Sequence, residues 1–301
     1  GRLALQAGTS VNSNYANEVG PNKNSVKHIQ EAYIGYKFSK NTWVDVGIYL
    51  GHIGYESWIS SENWNYTRAM ALDYVPYYSA GVRLTTIFSD KLHFQFHVMN
   101  GWQNITDQNK DKSFGTQFKY FFSPKLTIIA NQFAGNEAPS SERKQTRFYS
   151  NTIVEWKVYD WLSLAISGDI GSQKSKESGS YEPWWNQANA SIPIYVSREA
   201  RSYKQWYHGT FWASFRYEDI FRVSLRFERF YDPKQVLVQT GTQHGFLTNG
   251  YTLTFDYLNW QPSLLRLEFV QRESMDSVFE TDQYQRSRVE RLVVAAASIR
   301  I

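Results

Sequence analysis

Cysteine is absent from the 301-residue chain. Without thiols there is no disulfide framework, no Cys-type zinc site and no thiol redox chemistry. Long hydrophobic runs are missing too: no window approaches the roughly 18 uninterrupted apolar residues that a transmembrane helix needs, so a helical membrane protein is excluded. A large excess of one charge is also lacking. The 32 Lys and Arg face 28 Asp and Glu, for a formal net charge of +4. The positive residues are scattered, and with no basic arm or stripe there is no case for nucleic acid. No linker or low-complexity tract divides the chain, which reads as one domain over residues 1–301. Neither an initiator Met nor a signal peptide precedes Gly1, which reads as a processed or truncated start.

What the chain does have is a metre. Short polar turns fall at Ser39-Lys40-Asn41, Ser89-Asp90-Lys91, Ser123-Pro124-Lys125, Tyr159-Asp160-Trp161, Glu218-Asp219-Ile220 and Asn259-Trp260-Gln261-Pro262. Longer connections begin near Ser10, His52, Gly101, Gly135, Ser172, Asp232 and Ser274, and the two kinds alternate along the chain. Between them every second residue is apolar. Leu92, Phe94, Phe96 and Val98 alternate with His93, Gln95, His97 and Met99, and Phe221, Val223, Leu225 and Phe227 with Arg222, Ser224, Arg226 and Glu228. Each run is about 10 residues long, enough to span a bilayer when tilted. Such a rhythm predicts an all-β fold, a transmembrane antiparallel up-and-down β-barrel of about 14 strands, with short turns on one side and long loops on the other. A β-sandwich, propeller or β-helix predicts neither the strict alternation of loops nor aromatic ends.

Aromatic residues make up 17% of the chain, which suits girdles at the two membrane interfaces. Trp43, Tyr120, Trp156, Tyr159, Trp161, Tyr217, Tyr257 and Trp260 fall near the short turns, where one girdle is expected.

Ala32-Tyr33-Ile34-Gly35, Asp45-Val46-Gly47-Ile48, His52 to Ser57, Asn63-Trp64, Pro76 to Val82 and Asn100-Gly101-Trp102-Gln103 resemble the β-barrel porin-2 family of the OmpL-like type. The stretches Arg226 to Asp232 and Leu265 to Glu268 are similar to that family's closing strands. The resemblance covers most of the chain. It implies an outer-membrane barrel of a Gram-negative bacterium, with short turns in the periplasm and long loops outside. It also implies another hairpin ahead of Leu3 to Thr9, which would make about 16 strands in the intact barrel. Ile301 is aliphatic where such barrels often end in an aromatic residue.

With that fold, the expected function is a porin-like channel for passive diffusion of small polar solutes or ions, without catalysis, cofactor or metal. The loop at about residues 51–79 is the expected constriction, through Glu56, Trp58, Glu62, Trp64, Arg68, Asp73 and Tyr77, because a loop folded into a barrel narrows it and sets its selectivity. The other possibility for the loop is an extracellular cap or a protein contact. If the apolar partner of each pair faces lipid, the lumen receives Lys37, Arg83, Lys119, Arg216, Arg222, Arg226, Arg266, Arg272 and Arg300. It also receives Glu31, Asp45, Glu155, Asp169, Glu228, Asp256, Glu268 and Glu290. Arg222, Arg226, Arg266 and Arg272 could form a basic ladder facing the acidic loop; alternatively they pair with Glu228 and Glu268 and hold the wall together.

Enzymatic readings are weak. His93 and His97 share a face, but four residues along a strand separate them by about 13 Å, too far for one metal ion. Glu228 and Asp232 are acids that alternation alone supplies, and Asn65-Tyr66-Thr67 is a glycosylation-type triplet that arises often by chance. The expected partners are membrane lipids and lipopolysaccharide, and small polar solutes. The loop 172–202, with Tyr181, Pro183, Trp184, Trp185, Pro193 and Tyr195, has the aromatic density of a protein interface. Hence the competing reading is a plugged barrel subunit that docks to other outer-membrane proteins.

Overall fold

The computed structural model describes residues 1–16, 18, 23–174, 203–260, 263–281 and 285–299. The strands in chain order are β1 (Arg2–Leu5), β2 (Ile29–Ser39), β3 (Thr42–Leu50), β4 (Tyr78–Ser89), β5 (Leu92–Met99), β6 (Ser113–Ser123), β7 (Leu126–Asn136) and β8 (Thr146–Tyr159). They continue as β9 (Leu162–Lys174), β10 (Tyr203–Tyr217), β11 (Phe221–Asp232), β12 (Phe246–Trp260), β13 (Ser263–Ser274), β14 (Phe279–Glu280), β15 (Arg286–Ser287) and β16 (Val289–Ser298). Two short helices, α1 (Thr9–Asn14) and α2 (Lys23–Val26), lie between β1 and β2.

Fourteen of the strands form one sheet in the order β1 to β13 and then β16, while β14 and β15 make a small separate hairpin. Every neighbouring pair in the large sheet is antiparallel. The expected up-and-down barrel sheet is therefore present. Among the described residues β1 pairs with β2 and β16 with β13, and no ladder joins β1 to β16.

Local chemistry explains the tight turns. Ser39 Oγ accepts from the Asn41 N–H at 3.2 Å, Ser89 Oγ from Lys91 at 3.3 Å and Ser123 Oγ from Lys125 at 3.2 Å. A serine that satisfies the backbone two residues on stabilises the reversal without a glycine.

Alternation sets the two faces. Phe221, Val223, Leu225 and Phe227 stand in register with Tyr257, Phe255, Leu253 and Tyr251 of β12, and Leu265, Leu267 and Phe269 continue the row on β13. The phenylalanines, tyrosines and β13 residues of this row are all exposed on the outer face. An apolar belt this continuous is unstable against water and stable against lipid. At its short-turn edge Tyr120, Trp156, Tyr159, Trp161, Tyr217 and Tyr257 are exposed, as a girdle requires. Trp43 departs from that expectation. It is in register with Lys37 and Thr85, in phase with the inward Asp45 and Arg83, so it belongs to the interior face.

Inside, one bulky residue fits because a glycine leaves room. Gly171 on β9 lies opposite Trp206 on β10, and a Cβ there would overlap the indole. Trp206 is buried and stacks with Tyr149 at 6.2 Å. Gly171→Ala is expected to cost about 1–3 kcal/mol, the usual penalty for overpacking a filled site. A lowered urea midpoint in lipid vesicles would bear this out; a midpoint equal to wild type would refute it.

Candidate functional site

The connection between β3 and β4 runs from Gly51 to Tyr77 and folds into the barrel. Its neck is closed by the Gly51 N–H donating to the Tyr77 carbonyl at 2.9 Å. It has little regular structure, only 3-10 turns at Ser60–Glu62 and Met70–Asp73. Its backbone polar groups therefore need partners elsewhere, since buried N–H and C=O groups are costly when unpaired. The inward residues of the strands supply them.

At the near side, Gln117 on β6 donates to the His52 carbonyl at 2.8 Å, and His52 Nε2 lies 3.1 Å from the Gln132 carbonyl on β7. Further along, the Tyr55 hydroxyl reaches Glu155 on β8 at 3.3 Å. The far side carries the strongest anchors. Glu268 on β13 accepts from the Tyr66 N–H at 2.5 Å, the Thr67 N–H at 2.9 Å and the Thr67 hydroxyl at 2.6 Å. Asn65 donates to Thr254 on β12 at 2.7 Å, and the Met70 N–H to Glu228 on β11 at 2.5 Å. Two arginines hold the loop by its carbonyls: Arg266 donates to Ser60 at 2.9 Å and Asn63 at 2.8 Å, and Arg222 to Asn63 at 3.3 Å.

Opposite charges pair at the same place. Arg226, with no exposed side-chain surface, stands between Glu56 of the loop and Glu228 of its own strand, each 3.2 Å away. It also donates to the Thr67 carbonyl. Asp256 receives both Arg222, at 2.5 Å, and Arg266, at 2.6 Å. Burial pushes the Glu56 carboxyl above its ordinary range, opposed by the Arg226 cation and by the Ala69 N–H. An apolar flank completes the seat: Ile53, Ala69 to Leu72 and Val75 pack with Met99, Phe133, Trp212 and Phe230 of the wall.

The residues expected at a constriction thus separate into three groups. Glu56 faces the wall, and Trp64 packs edge-on to Tyr55 of the same loop at 5.8 Å. Trp58, Arg68, Asp73 and Tyr77 make a cluster at the loop's return, with Arg68 4.6 Å above the Tyr77 ring and bonded to its hydroxyl at 2.6 Å, and Asp73 accepting that hydroxyl at 2.8 Å. Glu62 is exposed and accepts from Ser57. Of the inward charged residues, Arg222, Arg226, Glu228, Arg266 and Glu268 meet the loop, as does Glu155 through Tyr55. Arg83 instead pairs with Asp45 at 2.8 Å, Lys119 lies over the Phe121 ring at 5.1 Å, and Arg272 pairs with Glu290 at 2.8 Å. Arg300 and most of the loop 172–202, namely 175–202, lie outside the described residues.

Some contacts were not foreseen. His97 does not stand alone in the lumen: it is buried and stacked on His52 at 4.1 Å. His208 sits 3.3 Å from Asp169 and 3.5 Å from Glu228, and Asp169 also accepts from Tyr149 and Asn151. Of these, the sequence showed the inward parity of His97, Asp169 and Glu228 and nothing of His208. Asn65, first of the glycosylation-type triplet, is fully buried. Asp232 accepts from the N–H groups of Val236, Leu237 and Val238. Among the described residues no cluster of three His, Asp or Glu could hold a metal.

The family described as "Putative beta-barrel porin-2, OmpL-like" matches residues 1–300. The chain belongs to that family. It is an integral β-barrel of the bacterial outer membrane, of porin type. No curated protein matches it in sequence. Among solved structures it is similar to the outer membrane channel DcaP of Acinetobacter baumannii, with TM-score 0.54 and 13% identity over 89% of this chain and 73% of that one. It is also similar to the outer-membrane OmpT of Vibrio cholerae, with TM-score 0.53 and 8% identity over 89% of this chain and 78% of that one. At these identities the likeness shows the fold.

Proposed function

We propose that this porin passes small polar solutes or ions by passive diffusion, without catalysis, and that the loop 51–77 is its constriction. The observation that carries the reading is the anchoring of Tyr66 and Thr67 to Glu268, on a strand far round the sheet from the loop's root. A loop held at both ends of its reach narrows the lumen at a fixed level, and the groups beside it set selectivity. In this membrane the outer apolar belt meets acyl chains, with lipopolysaccharide at the long-loop rim.

The wall charge best placed to act on a passing ion is Lys119. It points inward near the Ser123 turn and is only partly buried. Purified protein in a planar bilayer under a salt gradient is expected to give stable ohmic steps. Lys119→Glu should move the reversal potential towards cation preference while leaving the fold intact, because Lys119 anchors nothing in the loop. Silence from folded, heat-modifiable protein would overturn the channel reading. It would favour the competing one, a plugged subunit, to which the apolar seat of Ala69 to Leu72 already lends weight.

A further inference from the structure

Of the four arginines that alternation turns inward on β11 and β13, three are committed to the loop. Arg272 is not. It lies towards the long-loop end of β13, where Nη1 donates to Glu290 at 2.8 Å while its buried Nε has no hydrogen-bond partner.

Beside Arg272 opens a cavity of about 250 Å³. Met70, Phe246, Val278 and Phe279 supply the apolar part of a lining that is about half polar. Arg272 and Arg286 provide two guanidinium groups in the lining, and Asp73 adds one carboxylate. Three connections build it: the inserted loop at Met70–Asp73, the β11–β12 connection at Thr240, and the β13–β16 connection with its β14–β15 hairpin. Arg286 Nη1 donates to the Thr240 carbonyl at 3.0 Å and so ties the last two together. The Met70 N–H is fixed to Glu228. The cavity is thus built from parts that are independently held, at the mouth of the barrel. Larger hollows occur on the outward wall, for example among Phe114, Phe148 and Ile170, where they open to lipid.

The geometry points to a binding site for a small organic monoanion, a carboxylate carried on a compact apolar body. A concavity that joins apolar side chains to a few placed polar groups can hold a small molecule with one apolar and one charged end. Two guanidinium groups in one lining, those of Arg272 and Arg286, match a carboxylate, which accepts N–H bonds from a planar fork. The volume equals about eight water molecules at about 30 Å³ each, enough for a molecule of phenylacetate size. Asp73, nearly half exposed and already accepting the Tyr77 hydroxyl, opposes a second acidic group. The inference rests on the channel reading only in treating the ligand as a solute on its way through; binding is measurable without transport.

The test is fluorine NMR of 4-fluorophenylacetate with the folded protein in non-ionic detergent. The comparison probes are 2-(4-fluorophenyl)ethylamine, 2-(4-fluorophenyl)ethanol and trifluoroacetate. Saturable broadening of the aromatic acid is expected, with at least tenfold weaker binding of the amine, the alcohol and the small anion. Arg286→Ser, and separately the charge-neutral pair Arg272→Gln with Glu290→Gln, should each weaken the acid tenfold or more. Val278→Trp, which puts an indole into the cavity, should abolish its binding. Equal binding of acid and amine, or acid binding indifferent to all three changes, overturns the site. Conductance of the same wild-type sample in KCl keeps the two readings apart. Steps without acid binding overturn this site and leave the channel, and acid binding without steps supports this site and overturns the channel.

Discussion

Arg226→Met is expected to lower the unfolding free energy by about 3–5 kcal/mol, the cost of stranding a buried charge whose partner has been removed. Two carboxylates are left behind, Glu56 and Glu228, both within 3.2 Å of the lost guanidinium. Neither can turn to water, because Glu56 also accepts from Trp212 at 3.1 Å and the Ala69 N–H at 2.7 Å, and Glu228 from the Met70 N–H. The Thr67 carbonyl loses its donor as well. Urea unfolding in lipid vesicles, followed by tryptophan emission, measures the loss; a change below about 1 kcal/mol would show that the triad is not electrostatically coupled to the fold. The control is the neutral triple variant Arg226→Met, Glu56→Gln and Glu228→Gln. It is expected to recover most of the stability, because replacing a whole buried ionic group by neutral ones is far milder than breaking it. Arg222→Ser should cost less than Arg226→Met, since Asp256 keeps Arg266 at 2.6 Å.

The reach of the sequence is explained by which interactions are local. Strand faces follow from a period of two, so Arg222, Arg226, Glu228 and Glu268 could be placed inward before any fold was known. The turns were legible for the same reason, as Ser39 and Ser89 bond within two residues. Trp43 shows where this ends: closeness to a turn gives depth in the membrane, whereas the side of the wall is set by register with Lys37 and Thr85. The loop's seat was not legible at all. Thr67 and Glu268 are 201 residues apart and meet partly through a backbone N–H, which every non-proline residue carries and no composition reveals. Asn65, bonded to Thr254 across 189 residues, looked like a local motif for the same reason. Treating His97 by strand geometry alone hid its stack on His52, because the partner arrives from the loop. Charge pairing was half-visible. Both the ladder and the wall-holding reading were available, and the structure gives Arg226 to Glu228 and the loop together, while Glu268 accepts from Tyr66 and Thr67 of the loop and from Thr254 of β12.

Excising residues 56–73 and closing the gap with a short Gly-Ser link is expected to raise single-channel conductance severalfold and to flatten its ion preference. The segment is what crosses the interior: it carries the contacts to Arg226, Arg266 and Glu268 and the apolar flank from Ala69 to Leu72. Its removal also exposes that whole charged wall, yet it should disturb the fold less than Arg226→Met. In the point variant two carboxylates stay in a dry site without their cation, whereas excision admits water to Arg226, Glu228 and Glu268 together, so each charge regains hydration as its loop partner leaves. The apolar residues once covered by the loop, Trp212 and Phe230 among them, then face water, which removes part of the gain. Conductance and urea midpoint measured on the same sample separate the two effects. A wider channel with a midpoint above that of Arg226→Met is the expected pair. Unchanged conductance from a folded excision variant would show that solutes never passed the loop, and that the constriction lies elsewhere in the barrel.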